Sequence, residues 1–215
     1  DIRNEQALWE YAKAEPEHLN MLCYLAHYIE NILEDGYIES RVLTRFTGRL
    51  GICLDILRER QWAEGLTLTQ LKEYEEDGGH IAMSVLQSIL SYVKFGQIKY
   101  GDEPLSDERI QAVFELLPEL DSAITDTSAK NRWSVTNQIL VRCWPYWQDY
   151  LEHCEELQKE AAAAGGASSA AETLSETLRA LSGSSSAAEG ATAPVADSEE
   201  TSEASCSTHR MATHA

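Results

Sequence analysis

The chain has 215 residues, of which 43% are hydrophobic, and a net charge of −19. This length is enough for one globular domain with a tail but not for two full domains, and no apolar run approaches the roughly 20 residues that a membrane-spanning helix needs. The strong negative charge repels nucleic-acid phosphates, so it argues against non-specific nucleic-acid binding and favours basic partner surfaces.

The composition of the chain changes at Glu160. Before it, aromatic and branched apolar residues recur at helical spacing, whereas residues 161–215 contain no Phe, Tyr, Trp or Ile. Only the first part has the side chains that build a hydrophobic core. The composition therefore predicts an all-helical globular domain over residues 1–160 and a disordered Ala/Ser/Glu-rich tail over residues 161–215.

Apolar residues spaced three and four apart predict helices from the start of the chain, without the alternation that is typical of strands. The first two helices are expected over residues 5–14 and 17–34. Pro16 suits the start of the second helix, and Gly36 is expected to stop it. A third helix is then expected over residues 39–64.

The predicted third helix contains two glycines and a candidate core stripe. Gly48 and Gly51 each weaken a helix by about 1 kcal/mol relative to Ala. They indicate either the close approach of another helix or a break into two helices. The residues expected to face the core are Val42, Phe46, Leu50, Cys53, Leu54 and Leu57.

Further helices are expected over residues 66–74 and 80–95. After a loop, another helix begins near Ser106 and ends or kinks at Pro118. The last predicted helix is the most regular, and Pro145 is expected to kink it. Its apolar stripe, which we expect to pack back onto the domain, consists of Leu140, Cys143, Trp147, Tyr150, Cys154 and Leu157.

These seven or eight helices with short polar turns predict an all-α fold. Two arrangements are open, an irregular multi-helix bundle and a short HEAT-like helical stack. No convincing repeat near 40 residues favours the stack. The predicted fold class is therefore all-α in either arrangement, with a disordered C-terminal tail.

Three arginines form a candidate partner-binding row on the predicted third helix. Arg41, Arg45 and Arg49 are spaced four apart, so they project from one side of a continuous helix. Arginine binds carboxylates and phosphates through paired hydrogen bonds. The row therefore predicts a docking strip for an acidic peptide, a phosphorylated segment or an RNA backbone, unless carboxylates of the same chain pair with it.

Aromatic residues cluster in the last predicted helix. Trp147 belongs to its apolar stripe, and consecutive positions of a helix point in different directions. Trp144 or Tyr146 is therefore expected at the edge of the domain or outside it, where Trp and Tyr often contribute to binding. Packing against the preceding helix is the alternative interpretation.

The Ala/Ser/Glu-rich tail contains one helix signal. Ser169 and Glu172 resemble a capping box, which marks the start of a helix. A short amphipathic helix over residues 170–182 is therefore predicted, and its apolar side suits the groove of a partner. The candidate docking residues are Leu174, Leu178 and Leu181.

The sequence shows no pattern that is typical of catalysis, since GxSxG, HExxH, the Walker A loop and GxGxxG do not occur. Cys23 and His27 have a helical spacing that suits two metal ligands, but no further ligands are indicated. We therefore expect no enzyme, no cofactor and no metal. A helical enzyme whose site is not visible in the sequence is an alternative.

Five cysteines without a CxxC pair are typical of reduced thiols in an intracellular protein. The polar first residues, DIRNEQALWE, show no signal-peptide pattern. These features predict a cytoplasmic or nuclear location.

The predicted function is a non-catalytic helical protein–protein interaction module, an adaptor or a subunit of a larger assembly, with a flexible regulatory tail. Its expected partners are proteins, including acidic or phosphorylated segments, and not membranes. The alternative is a nucleic-acid-associated module that contacts phosphates through the arginine row.

Overall fold

The computed structural model describes residues 1–76, 80–102, 106–163 and 169–184, with side chains described up to Leu178. Within these residues the regular structure is helical throughout, which confirms the all-α fold class. In chain order the helices are α1 (Ile2–Ala14), α2 (Pro16–Arg45), α3 (Arg49–Glu64), α4 (Leu68–Glu76), α5 (Ile81–Phe95), α6 (Glu108–Phe114), α7 (Leu117–Thr125), α8 (Ala129–Arg142), α9 (Trp144–Ala163) and α10 (Ala170–Ser184).

Helix α2 forms the centre of the fold. It contacts α1, α3, α5, α7, α8 and α10. Its fully buried side chains, spaced four apart, are Met21, Leu25, Ile29 and Leu33. In a helical stack each repeat contacts only its neighbours. Because α2 contacts helices from all parts of the chain, the arrangement is an irregular bundle rather than a HEAT-like stack.

Gly36 lies inside α2 and does not end it, so the expected stop at this residue is wrong. The glycine is buried, and a Cβ atom there would overlap Val93 of α5 and approach Ile124 of α7. Its missing side chain allows these helices to approach the α2 backbone closely. The packing requirement, not a turn, therefore explains this glycine.

The chain breaks its helix at residues 46–48. Helix α2 ends at Arg45, and Gly48 precedes α3 in an extended conformation with φ −79° and ψ −150°. The expectation of one helix over residues 39–64 is therefore wrong, and the alternative of a break near the glycines is correct. Gly51 is buried against the backbone carbonyl of Phe46, where a Cβ atom would overlap the oxygen.

The apolar stripe of the last predicted helix lies in the core as expected, except for Leu157, which is exposed. The stripe spans two helices, because α8 ends at Arg142 and α9 begins at Trp144. Cys143 joins them with φ −97° and ψ 15°. Pro145 is the second residue of α9, a position that tolerates proline. The predicted kink is therefore a break between two helices.

Helix α10 forms at the predicted capping box. The backbone N–H of Ser169 donates to Glu172 Oε2 at 2.9 Å, and the N–H of Glu172 donates to Ser169 Oγ at 3.2 Å. Leu174 and Leu178 are buried in the common core, where α10 packs against α2 and α9. The folded body therefore continues beyond the predicted boundary at residue 160. The side chain of Leu181 lies outside the described part of the chain.

The expected disordered tail falls mainly on residues 185–215, which lie outside the described residues. The prediction for that segment therefore stays a prediction.

Candidate docking surface

Helix α3 packs poorly on the rest of the protein compared with the helices around it. Of its residues only Gly51 is buried, and its main neighbours are α2 and α5. The side that faces them carries the half-buried residues Leu54, Arg58 and Trp62. One side of α3 therefore rests on the bundle, while the other side faces away from it.

Polar and aromatic contacts attach α3 to the bundle. Arg58 pairs with Glu39 of α2 at 2.9 Å, and the ring of Trp62 meets Phe95 of α5 edge-on at 5.3 Å. Lys99 donates from Nζ to the carbonyl oxygens of Trp62 at 2.8 Å and of Gly65 at 2.5 Å. A lysine at the C-terminal carbonyls satisfies acceptors that the helix leaves unpaired and complements the helix dipole. These contacts hold the helix in place, and the side chains on its outward side take no part in them.

The outward side of α3 is apolar. Ile52, Cys53, Ile56 and Leu57 recur at helical spacing and lie on the same side of the helix, and we call these four residues the α3 stripe. Ile52, Ile56 and Leu57 are 57%, 58% and 54% exposed. A continuous exposed apolar surface of this kind marks an interaction site more often than an isolated exposed residue does.

The expected core stripe of this region is therefore wrong. Phe46, Leu50, Cys53 and Leu57 are exposed, and Val42 and Leu54 are only half-buried. The break at residues 46–48 rotates α3 relative to α2, so apolar positions that share a side of one long helix no longer share a direction. As a result, Gly51 and its neighbours face the bundle and the stripe faces outward.

The same break divides the predicted arginine row. Arg41 and Arg45 belong to α2, which Arg45 ends, while Arg49 begins α3, so the expected row on one helix is wrong. Arg41 is half-buried and lies over the ring of Tyr37, 5.1 Å from its centroid. Arg45 and Arg49 are exposed and form no ion pair with the described residues. Arg49 lies three residues before Ile52, at the N-terminal end of the α3 stripe.

Trp144 is 1% exposed, so its predicted place at the surface is wrong. Trp144 and Trp147 are three residues apart and share one side of α9, which places both indoles in the core. Trp144 contacts the ring of Tyr11 at 5.5 Å. Tyr146 is half-buried and packs against the core. This position at the edge of the domain agrees with the expectation, but Tyr146 does not lie outside the domain.

Sequence reasoning missed the α3 stripe because it assigned the apolar residues of this region to the core. A signal was present: Leu, Ile and Trp residues occur all around the axis of α3, and not on one side as in a helix that packs with a single face. An excess of apolar residues over what one face can bury indicates a second contact surface.

His80 lies in a cluster of ionisable groups at the N-terminal end of α5. Its Nδ1 accepts from the N–H of Ala82, and its Nε2 lies 2.9 Å from Asp149 Oδ2. The rings of His80 and His153 are 5.7 Å apart, and burial lowers the pKa of His80. The cluster caps the N-terminus of α5 and ties it to α9, so it has a structural role.

No group of described His, Cys, Asp and Glu residues has the arrangement needed to hold a metal ion. Cys23 and His27, the two residues with metal-ligand spacing in the sequence, are both exposed to solvent, and His27 Nδ1 lies 3.5 Å from Glu30 Oε2.

Between α3, α4 and α5 lies a cavity of about 80 Å³, lined among others by Trp62, Leu71 and Phe95. Ligand pockets usually have about 300–1,000 Å³, so this cavity is too small for an ordinary ligand.

None of the described helices is both long enough and apolar enough to cross a bilayer. No family model, curated protein or solved structure matches the chain.

Proposed function

We propose that the chain is a non-catalytic helical protein–protein interaction module, an adaptor or a subunit of a larger assembly, which binds its partner through the α3 stripe. The observation that carries this proposal is the exposure of Ile52, Ile56 and Leu57 on a helix whose opposite side already attaches it to the bundle. The outward apolar side chains of α3 therefore do not contribute to its attachment to the bundle.

Covering the α3 stripe supplies binding energy. Fully burying an Ile or Leu side chain contributes about 1.5–3 kcal/mol. Because Ile52, Ile56 and Leu57 are each slightly more than half exposed, covering all three contributes roughly 2–5 kcal/mol in total. This amount is typical of the apolar centre of an interface, around which polar contacts add specificity.

The test is a charge placed in the centre of the α3 stripe. We expect Ile56→Asp to weaken partner capture about tenfold or more, because the carboxylate must be desolvated in the interface. The measurement is quantitative mass spectrometry of proteins retained by the full chain from its native extract. Thermal unfolding is expected to change little, since the side chain is exposed.

Leu19→Asp is the matched control. Leu19 is 48% exposed on α2. It lies twenty positions before Glu39, the residue of α2 that pairs with Arg58 of α3, so it is far from the α3 stripe. This variant adds the same charge to an exposed apolar residue away from the α3 stripe, and it is expected to retain the partner. If Ile56→Asp and Leu19→Asp retain the same proteins as the natural chain, α3 does not dock a partner.

A second candidate function is nucleic-acid association through Arg45 and Arg49, which are exposed and lack ion pairs among the described residues. Arg41 contributes less to this candidate, since it is half-buried over Tyr37. Titration of labelled RNA at low salt tests it: phosphate binding predicts an affinity that falls steeply as salt is added. Absence of salt-dependent binding removes this candidate.

An intracellular location, cytoplasmic or nuclear, belongs to the proposal. It is supported by Cys23 and Cys53, whose exposed thiols are free and persist in a reducing compartment. Fractionation of cells that produce a tagged chain tests it, and recovery of the chain from the medium contradicts it. The regulatory role of residues 185–215 stays a prediction.

A further inference from the structure

The charge around the α3 stripe differs from the charge of the chain as a whole. Residues 41–64 contain five arginines and three carboxylates, in a chain with a net charge of −19. Arg58 pairs with Glu39 at 2.9 Å, and Arg60 pairs with Glu64 at 2.9 Å. Arg45 and Arg49 have no such partner among the described residues, so uncompensated positive charge lies at the N-terminal end of the stripe.

The N-terminus of α3 adds to this positive charge. Its first turn contains no acidic residue, and no side chain accepts a hydrogen bond from it at the cap position, Gly48. The N-terminal end of a helix carries a partial positive charge that a carboxylate stabilises. An exposed apolar stripe is thus bordered at one end by Arg49 and a positive helix end, and Arg45 ends the preceding helix four positions earlier.

We propose that the partner presents an acidic amphipathic helix, whose apolar side packs on the α3 stripe and whose carboxylates lie against Arg45 and Arg49. This inference rests on the proposed function and names the chemistry of the partner. The four stripe residues form two adjacent rows along α3, the kind of surface on which the ridges of a second helix pack. The charge complementarity then selects acidic flanks over basic ones.

A second copy of the chain fits this surface less well. In an antiparallel pair centred on the stripe, Ile52 of one copy lies opposite Leu57 of the other, which places Arg49 opposite Arg60. In a parallel pair, each arginine lies opposite itself. The parallel arrangement opposes like charges, and in the antiparallel one Arg60 is already paired with Glu64, so Arg49 gains no new partner. Either arrangement joins two chains that each carry −19, and like charges at an interface disfavour association.

The segment at residues 185–215 of the same chain also lacks the matching side chains. It is acidic, but Val195 and Met211 are its only large apolar residues. Two side chains sixteen positions apart do not form the apolar side of an amphipathic helix. The occupant is therefore a different chain.

Two cysteines make the test direct. Cys53 lies within the α3 stripe and is exposed, while Cys23 is exposed on α2. Cys23 lies sixteen positions before Glu39, or about 24 Å along the helix. Cys143 and Cys154 are buried. In the full chain with Cys206→Ser, the maleimide reaction rates of Cys53 and Cys23 therefore report separately on the stripe and on a remote surface.

The probes are two stapled helical peptides with the same leucine face, one flanked by glutamates and the other by lysines. The glutamate peptide is expected to slow the reaction of Cys53 and to leave Cys23 unchanged. Two exposed charge pairs of ordinary strength predict about fivefold tighter binding of the glutamate peptide than of the lysine peptide. Arg45→Glu with Arg49→Glu is expected to reverse this order.

The outcomes separate this inference from the proposed function. The proposal of an acidic partner helix is overturned if both peptides protect Cys53 equally. It is also overturned if neither peptide protects Cys53. If Ile56→Asp still loses the natural partner in either case, the proposed function stands without the acidic helix. A concentration-dependent dimer of the natural chain that Ile56→Asp abolishes overturns the inference in favour of a second copy.

Discussion

Gly36 shows how one residue decides the distance between helices. It lies where α2 meets Val93 of α5 and Ile124 of α7, and a Cβ atom there overlaps the first of these side chains. A glycine inside a helix is about 1 kcal/mol less favourable than Ala, but here it allows α5 and α7 to approach the backbone of α2 closely. The same residue type at position 48 has open space around it and serves a different purpose, the break before α3.

We therefore expect Gly36→Ala to destabilise the protein by about 1–3 kcal/mol, because the added methyl group overpacks the core. Urea unfolding followed by circular dichroism measures the change. Gly48→Ser is the control, and it is expected to be neutral or slightly stabilising, since Ser is a favoured helix cap and nothing lies within 4 Å of a Cβ there. A neutral Gly36→Ala contradicts the close packing.

His80 makes the stability depend on pH. Burial lowers its pKa below the ordinary value, although Asp149 acts in the opposite direction; His153 lowers the pKa further and Glu75 raises it. The unfolded chain therefore binds a proton at a higher pH than the folded chain does. The contribution of His80 to stability is complete above the unfolded pKa, falls as the pH drops below it, and levels off below the folded pKa.

His80→Asn removes this titration and keeps a helix-capping residue. We expect the loss of stability between neutral and mildly acidic pH to be smaller in the variant than in the natural chain. Urea unfolding at a series of pH values measures the difference. Identical pH profiles mean that His80 does not titrate differently in the folded and unfolded chains.

Among the helices, α10 determines where the folded body ends along the chain. Leu174 is fully buried between α10 and the bundle, and Thr177 Oγ1 lies 2.6 Å from the hydroxyl of Tyr150. Glu17 of α2 also accepts a hydrogen bond from the N–H of Ala171 at 3.0 Å. An isolated helix of this length is marginal in water, so its formation depends on this packing.

Leu174→Ala is expected to lower the free energy of unfolding by about 2–5 kcal/mol, the usual cost of a cavity at a fully buried leucine. Leu157→Ala removes the same atoms from an exposed position of α9 and is expected to cost much less. Chemical denaturation of both variants provides the comparison. Equal and small effects show that α10 does not belong to the folded body in solution.

Local signals predicted the elements that depend on neighbouring residues. The capping box at Ser169 and Glu172 predicted the start of α10, and the regular stripe through Trp147 and Tyr150 predicted the buried side of α8 and α9. These signals depend on spacing along one helix, which the sequence displays directly.

Features set by tertiary packing were not predictable in this way. Gly36 and Gly48 carry the same local signal, yet one is packed inside a helix and the other precedes a new one. The direction of α3 depends on the turn at residues 46–48. The exposure of Ile56 and the separation of Arg49 from Arg45 therefore appear only in the assembled fold. Helical spacing identifies residues that share a side, but not which side the bundle covers.

At the scale of the whole molecule, the core forms around α2, and α3 lies at its edge. Helices α1, α5, α7, α8 and α10 cover most of α2, while α3 is attached mainly by the Arg58–Glu39 pair, the Trp62–Phe95 contact and the lysine at its C-terminal end. The bundle is therefore complete without the outward side of α3. An apolar surface that the fold does not use is available for a partner.

The most direct test of this account compares the reaction rates of Cys53 and Cys23 in two states of the natural chain. One state is the purified protein, and the other is the protein in its native extract, labelled before purification. Both thiols are exposed in the structure, so their relative rates in the purified chain define the uncovered state. If a partner covers the α3 stripe, Cys53 reacts more slowly relative to Cys23 in the extract. The same ratio of rates in both states contradicts the claim that α3 docks a partner.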